Sequence, residues 1–270
     1  MPEEELFGPR LLRWQSLQGL GKKKGTQRFH SEVVSIIRAN LPEIDTLPAA
    51  LGEQPLSEFA LRVAHYCPSR WNCIVSVVRF VTGNPRALRY RKLRFKEFTP
   101  PTQGEFERLL AECDKAPKSL CGLTVRLLAL TGLRINEARQ LRWRDVKADR
   151  LDLPATITKN GLARSVPFLP GLQEVLRRLR EADPDSEFVL SIPSMRTALR
   201  KACVRAGVTQ MTNHSFRHLF ATKCLEAGVD PPTVARWLGH QCGGALLSKM
   251  YFHLTDGHNL AMAQKVRIAI

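Results

Sequence analysis

The chain has 270 residues, enough for two domains, and its 44% hydrophobic and 24% charged residues are typical of a soluble globular protein. Its 41 Lys and Arg against 25 Asp and Glu give a net charge of +16 and a pI near 10.0, which favours nucleic acid over an anionic membrane as the partner. The seven cysteines are scattered and form no C-x-x-C pair, so they support neither a zinc site nor a disulfide framework.

The N-terminal sequence, MPEEELFGPR, is acidic and lacks the apolar stretch of a signal peptide. No window of the sequence is apolar over the length of a membrane span. We therefore expect a cytoplasmic protein without a membrane partner. Residues 1–28 are polar and include the run Lys22-Lys23-Lys24, which predicts a mobile basic arm, although a merely solvated tail explains the composition equally well.

Residues 29–85 are expected to form a small helical bundle. Apolar residues at helical spacing, such as Val33 with Ile37 and Ile74 with Val78, predict helices at roughly 30–40, 55–66 and 69–82.

Residues 86–98 are expected to form a basic linker. Between residues 86 and 96 there is no acidic residue, and the chain has six basic ones: Arg86, Arg89, Arg91, Lys92, Arg94 and Lys96. A connector this basic favours contact with a DNA backbone, while a solvated linker, which more often mixes both signs of charge, is the alternative.

A second domain is expected over residues 99–270, with helices at about 102–113, 118–131 and 135–141. Arg134 stands at the start of the third of these helices, where backbone N–H groups also favour an anion. Glu137 follows three residues later, so it can hold the Arg134 guanidinium or simply strengthen the helix.

The pattern then becomes extended in PATITKNGLARSVPF, where Asn160-Gly161 predicts a two-residue β-hairpin loop. Lys159 directly precedes this loop, and a solubilising lysine beside a turn is its ordinary interpretation. Amphipathic patterns at 169–180 and 195–206 predict two more helices. The expected fold class is therefore mainly α with a small antiparallel β-sheet.

The segment TNHSFRHLFATK predicts a helix that begins near Thr212 and ends before Gly228. It places His214 and Arg217 on one face, which suits a phosphate, although a surface pair is the more common interpretation of that spacing alone. A short helix, TVARWL, is then stopped by Gly239 so that His240 projects from its end.

Five motifs in this order resemble the tyrosine recombinase family, the phage-integrase-like site-specific recombinases. The motifs are TGLRINEARQLRW around Arg134, TKNGLARSVP around Lys159, HSFRH with His214 and Arg217, LGH with His240, and Tyr251 near the C-terminus. The resemblance covers residues 99 to 260. For residues 29–85 it implies, by architecture only, a DNA-binding core-binding domain.

The resemblance implies a role for each motif residue. Tyr251 would be the nucleophile that joins the 3′ side of the scissile phosphate, whereas a buried structural tyrosine is the alternative. Arg134 and Arg217 would bind the non-bridging oxygens, and Lys159 would protonate the leaving 5′ hydroxyl.

Of the two histidines in the motifs, His214 would serve in proton transfer and His240 would hydrogen-bond the phosphate. The family's fold implies a C-shaped clamp on duplex DNA and a tetrameric synapse, and accessory DNA-bending proteins are compatible with it. A bacterial or phage-encoded protein, associated with the nucleoid when bound, is expected. We expect no cofactor and no metal, because a phosphotyrosine retains the phosphoester bond and rejoining needs no ATP.

One departure from the family is the segment between His240 and Tyr251, which is a little longer than usual and contains Gly243-Gly244. Tyr251 could therefore reach its site in an unusual way. Two other functions remain open at this point: a type IB topoisomerase that relaxes DNA as a monomer, and a DNA-binding accessory protein whose catalytic centre is unused.

Overall fold

The computed structural model describes residues 5–22, 24–93, 99–116 and 120–240. The chain divides into a first unit, Met1–Lys96, and a second unit, Glu97–Ile270. Within the described ranges, no helix is both long enough and apolar enough to cross a membrane.

Over its described residues, the regular elements of the first unit are all helices. Its helices are α1 (Phe7–Gly19), α2 (Lys24–Asn40), α3 (Glu53–Arg62) and α4 (Pro68–Thr82). Pro68 stands at the first position of α4, where its missing N–H costs no hydrogen bond, and Gly83 ends the helix with a φ of 67°. The helices enclose one core of apolar side chains, with Phe7, Ile37, Phe59 and Ile74 fully buried.

The structure corrects the expectation of a mobile arm at residues 1–28. Phe7, Leu11 and Trp14 lie at helical spacing on α1 and are buried in the core of the first unit. Gln15 Nε2 on α1 donates a hydrogen bond to Ser31 Oγ on α2 at 3.1 Å. The arm prediction was wrong because this segment carries, beside its lysine run, an apolar stripe with the spacing of a packed helix.

The start of the predicted linker is folded onto α4. Trp71 Nε1 donates to the Arg89 carbonyl at 2.9 Å, and the Asn72 side chain exchanges two hydrogen bonds with the Arg91 backbone at 2.9 and 2.8 Å. The Arg91 guanidinium stacks 3.9 Å from the Trp71 ring, and Leu88 is buried. Residues 86–93 are therefore part of the first unit rather than a free connector.

Over its described residues, the second unit combines seven α-helices and a short 3-10 helix (Trp143–Asp145) with one small sheet. The helices are α5 (Gln103–Asp114), α6 (Cys121–Thr131), α7 (Ile135–Gln140), α8 (Leu172–Ala182), α9 (Arg196–Ala206), α10 (Asn213–Glu226) and α11 (Pro231–Leu238). The strands β1 (Arg150–Leu153) and β2 (Arg164–Pro167) pair antiparallel, with Leu151 opposite Val166. This confirms the predicted class, mainly α with a small antiparallel sheet.

Side-chain caps set the starts of three of these helices. The Thr102 hydroxyl accepts from the Glu105 N–H at 3.3 Å, and Glu105 Oε2 accepts from the Thr102 N–H at 2.8 Å, so the two residues cap α5 reciprocally. Thr212 caps α10, as predicted, and its N–H donates to Ser215 Oγ at 3.0 Å. Asp230 caps α11 by accepting from the Thr233 N–H at 2.9 Å.

The predicted two-residue hairpin loop is wrong. The connection between β1 and β2 spans residues 154–163, and Asn160 and Gly161 lie inside it. Asn160 makes its own turn by accepting from the Leu162 N–H at 3.4 Å, and Gly161 adopts a φ of 72°. Thr158 is fully buried, so its side chain anchors the loop. The strand pairing of β1 and β2 does not continue into this loop.

Helix α6 lies at the centre of the second unit. Most of its residues are buried, and α5, α8 and α10 all pack against it. Gly132 ends α6 with a φ of 63°, and a Cβ there would lie 2.6 Å from both Phe220 and Leu238. The end of α6 therefore packs closely against α10 and α11, at the point where the chain turns towards Arg134.

Candidate active site

Arg134 is held at the start of α7 by Glu137. The Arg134 N–H donates to Glu137 Oε2 at 2.9 Å, and Arg134 Nη1 donates to Glu137 Oε1 at 2.9 Å. Glu137 is 1% exposed, whereas the Arg134 side chain is 29% exposed. The contact between Arg134 and Glu137 that their three-residue spacing allowed is thus present. It fixes the Arg134 guanidinium and leaves part of this group accessible to an anion.

A second arginine, Arg164 at the start of β2, binds the same carboxylate. Its Nη1 and Nη2 donate to Glu137 Oε1 and Oε2 at 3.2 and 2.7 Å, and its Nε donates to the Trp237 carbonyl at 2.8 Å. Its side chain is 5% exposed. Sequence reasoning missed this residue, because a single arginine in a strand has no local pattern that distinguishes it from a surface residue.

Glu137 remains a carboxylate in this setting. Burial alone would raise its pKa, but the hydrogen bonds and charge of Arg164, with the N–H and charge of Arg134, outweigh it and hold the pKa of Glu137 below its usual value. The buried carboxylate therefore compensates two guanidinium groups at neutral pH.

Arg217 on α10 is 3% exposed and is fixed by two backbone carbonyls. Nη1 donates to the Gly132 carbonyl at 2.7 Å and Nη2 to the Leu238 carbonyl at 2.6 Å, at the C-terminal ends of α6 and α11. Burial, and then the charge of Arg134, lowers the pKa of Arg217 to about 9, so the group still carries its charge at neutral pH. The carbonyl dipoles at two helix ends favour this cation.

His240 follows the Gly239 turn at the end of α11. Its backbone N–H donates to the Ala235 carbonyl at 2.9 Å. Among the described residues, the buried Nδ1 of its imidazole has no hydrogen-bond partner. Burial, followed by the charges of Arg217 and Arg134, lowers the pKa of His240 to about 4. The neutral imidazole of His240 therefore lies near Arg217 and Arg134, and a bound group could supply the hydrogen-bond partner of its Nδ1.

His214 lies in the same electrostatic neighbourhood. The residue keeps exposed surface, yet partial desolvation of its imidazole, with the neighbouring His218, Arg217 and Arg134, lowers its pKa. The His218 ring packs edge-on against the His214 ring, with the ring centres 4.6 Å apart. His214 is therefore neutral at pH 7 and is positioned by the residue one turn along α10.

Lys159 lies on the loop between β1 and β2, and its side chain is exposed. The neighbouring Asn160 Nδ2 donates to the Gly239 carbonyl at 3.4 Å, so this part of the loop reaches the residue that precedes His240. Lys159 is thus carried on a segment that contacts the turn before His240.

Several predicted residues are not brought to this site by the described structure. Tyr251, Arg94 and Lys96 lie outside the described residues. Arg86, Arg89 and Lys92 are exposed on the first unit. Arg91 Nη1 instead donates to the carbonyls of Ala64 and Tyr66 at 2.9 and 3.1 Å. The Arg91 guanidinium therefore binds within its own unit, and its contact with DNA stays a prediction.

The site carries an excess of positive charge. Three guanidinium groups, those of Arg134, Arg164 and Arg217, are set against the single carboxylate of Glu137. In the portion of the chain that the structure describes, no group of three or more His, Cys, Asp and Glu side chains is placed to hold a metal ion. The arrangement suits a bound oxyanion, which would offset part of this excess positive charge.

Replacing Glu137 by Gln should lower the free energy of unfolding by about 3–5 kcal/mol, because it leaves two arginines without their buried counter-charge. Glu174 provides a matched control, since Arg177 binds both of its oxygens at 2.8 and 2.7 Å on an exposed helix face. Glu174→Gln should have little effect. Chemical denaturation of the two variants measures the difference, and equal losses would contradict the account of Glu137.

Relatives with curated names match most of the chain. Tyrosine recombinase XerA of Pyrococcus furiosus is 28% identical over 215 residues, covering 73% of this chain and 74% of that protein. The integrase of Haemophilus phage HP1 is 26% identical over 260 residues, covering 85% of this chain and 74% of that protein.

Solved structures show the same fold at low sequence identity. Lambda integrase residues 75–356 bound to DNA gives a TM-score of 0.76 at 17% identity, covering 98% of this chain and 100% of that one. The Tn1549 transposon integrase in complex with circular intermediate DNA gives a TM-score of 0.70 at 17% identity, covering 97% of this chain and 99% of that one.

The sequence model of the Phage integrase family matches residues 102–258, which is more than half of the 270 residues. This span contains every residue of the five motifs, from Arg134 to Tyr251. The chain therefore belongs to the phage integrase family, the tyrosine recombinases that its motifs resemble.

Proposed function

We propose that this protein is a site-specific tyrosine recombinase, which cuts and rejoins DNA strands through a covalent 3′-phosphotyrosine intermediate on Tyr251. The observation that carries the proposal is the cationic site built around Glu137. It offers a fixed buried arginine, Arg217, a partly exposed arginine, Arg134, and a neutral histidine, His240, whose Nδ1 has no partner among the described residues. These groups together match the oxygens of a phosphodiester.

The chemistry requires these groups at this place. When the Tyr251 oxygen attacks phosphorus, negative charge accumulates on the non-bridging oxygens. Arg134 and Arg217 stabilise that charge more strongly in the transition state than in the ground state, and both are already fixed before DNA arrives. Pre-fixed donors lower the barrier without a reorganisation cost during the reaction.

Proton transfer completes the cleavage step. A bond forms between phosphorus and the Tyr251 oxygen, the bond to the 5′ oxygen breaks, and Lys159 supplies the proton to that leaving oxygen. The neutral imidazole of His214 accepts the proton that the Tyr251 phenol releases, and His240 hydrogen-bonds the phosphate. Attack by the 5′ hydroxyl of another strand reverses the step and releases Tyr251, so no ATP is consumed.

Double-stranded DNA and other copies of this chain are the proposed partners. A lambda integrase tetramer has been solved on a Holliday junction, and it matches this chain with a TM-score of 0.72 at 19% identity. We extend that assembly to this protein as a tetrameric synapse. The net charge of +16 would favour association with the DNA backbone. The cytoplasmic location and the use of accessory DNA-bending proteins stay predictions.

Two other functions would use the same fold. A type IB topoisomerase would relax a supercoiled plasmid that lacks any specific site, at protein dilutions where only monomers exist. An accessory DNA-binding protein would perform its role equally well after Tyr251→Phe. The family membership favours the recombinase over the topoisomerase, and the preformed cationic site favours an enzyme over an accessory protein.

The nucleophile can be tested with suicide duplexes, nicked near candidate sites flanking the gene, that trap the covalent intermediate. Wild type should form a denaturant-resistant protein–DNA adduct, and Tyr251→Phe should form none while binding DNA with unchanged affinity, because the phenol oxygen alone makes the bond. Tyr90→Phe is the matched control, since Tyr90 is an exposed tyrosine of the first unit, and it should react as wild type does.

Peptide mapping of the adduct identifies the linked residue. An adduct that persists in Tyr251→Phe would overturn the assignment of Tyr251. The absence of any adduct on every DNA tried would overturn the enzyme function itself.

Phosphate binding should be linked to proton uptake. Because the pKa values of His214 and His240 are depressed in the free protein, both imidazoles are neutral at pH 7. A nearby phosphate favours the charged form and raises both pKa values, so the complex binds more protons than the free protein, and DNA affinity should rise as pH falls from about 7 to about 5.

Isothermal titration calorimetry in buffers of different ionisation enthalpy measures that uptake. The double variant His214→Asn with His240→Asn should take up fewer protons than wild type. Equal proton uptake by the two proteins would show that these histidines do not face the phosphate.

A further inference from the structure

Arg164 contacts two elements of the cationic site. These are α7, whose Glu137 holds Arg134, and the end of α11, which precedes His240. Both of its terminal nitrogens bind Glu137, and its Nε binds the Trp237 carbonyl. A Cβ on Gly239 would lie 3.1 Å from Arg164 Cδ, so the turn before His240 packs directly over this side chain. One buried residue on β2 therefore touches the supports of both Arg134 and His240.

We propose that Arg164 is a positioning residue for DNA cleavage, which orients Arg134 through Glu137 and His240 through the end of α11. The inference rests on the proposed function of this site. Arg164 itself is 5% exposed and is committed to three acceptors, so it acts on the phosphate through the residues that it holds.

The first part of this role concerns the orientation of the Glu137 carboxylate. Arg134 uses one guanidinium nitrogen and one backbone N–H on Glu137, while Arg164 binds both oxygens side by side and fixes the plane of the group. Without Arg164, only Arg134 would offset the effect of burial, and the pKa of Glu137 would rise. A protonated Glu137 would hold Arg134 less firmly.

The second part concerns three consecutive carbonyls at the end of α11. The Trp237 carbonyl accepts from Arg164 at 2.8 Å, the Leu238 carbonyl from Arg217 at 2.6 Å, and the Gly239 carbonyl from Asn160 at 3.4 Å. Carbonyls at a helix end have no partner within the helix, so side chains that bind them define the turn that follows. Loss of Arg164 would release the first of the three and loosen the turn that presents His240.

The test compares single-turnover cleavage of a suicide duplex with DNA affinity for Arg164→Met, Arg164→Lys and wild type. Arg164→Met should cleave on the order of 10²-fold more slowly, because small misplacements of catalytic groups cost that much, while its DNA affinity changes less than threefold. Arg164→Lys should recover part of the rate, since it keeps the charge and one hydrogen bond.

Two further readouts separate positioning from general loss of structure. The rate of Arg164→Met relative to wild type should rise with pH, as Glu137 ionises again beside Arg134 and the neighbouring Arg217 on α10. Adding Arg164→Met to Glu137→Gln should cost less rate than Arg164→Met costs alone, because Arg164 acts partly through that carboxylate.

Arg126 supplies the matched control, since it binds both oxygens of Asp114 at 2.8 and 2.6 Å in the same unit. Arg126→Met should leave the cleavage rate unchanged. If wild type forms the adduct and Arg164→Met cleaves at the wild-type rate, or if its deficit is independent of pH and adds in full to that of Glu137→Gln, the inference is wrong while the proposed function stands. If wild type forms no adduct, the proposed function fails first.

Discussion

The buried carboxylate of Glu137 is the constraint on which the rest of the site depends. It lies at 1% exposure between two guanidinium groups, so removal of the carboxylate leaves the buried Arg164 without its counter-charge. This requirement places α7 and β2 side by side and gives Arg134 one orientation. Glu137, which from its spacing could either hold Arg134 or only strengthen the helix, thus determines where the Arg134 guanidinium points.

The end of α11 connects this constraint to the remaining groups. Its last carbonyls bind Arg164 and Arg217, and the turn at Gly239 then presents His240. These carbonyls have no partner within the helix, so they accept hydrogen bonds from the two arginines. The same hydrogen bonds hold both guanidinium groups in place before any anion is bound. Such preorganisation is what makes charge stabilisation effective, because the donors need not move when negative charge develops.

Local patterns in the sequence predicted the parts of the site that depend on local structure. The contact of Arg134 with Glu137 follows from a spacing of three residues, and the limits of α10 and α11 follow from Thr212 and Gly239. Arg164 could not be found in this way, because its partners lie 27 and 73 positions away in the chain.

The errors have the same physical origin. The Asn160-Gly161 pair does make a turn. The hydrogen-bonded pairing of β1 and β2, however, already ends at Leu153 and Arg164, and this limit depends on how the two strands pair rather than on the turn residues. The charge of the basic run after Asn84 indicated a linker between two units. Its start is instead packed on the first unit, because Leu88 is buried and Arg91 stacks on Trp71. Charge pattern alone does not report which cations are already bound within the protein.

The most direct test of the central claim is to change the charge of the phosphate while keeping its shape. Cleavage of a normal duplex is compared with cleavage of one whose scissile phosphate is a neutral methylphosphonate, for wild type and Arg134→Ala. If Arg134 stabilises negative charge on the non-bridging oxygens, the variant should lose roughly 10²–10³-fold in rate on normal DNA and less than about tenfold on the neutral substrate. The same loss on both substrates would contradict the account.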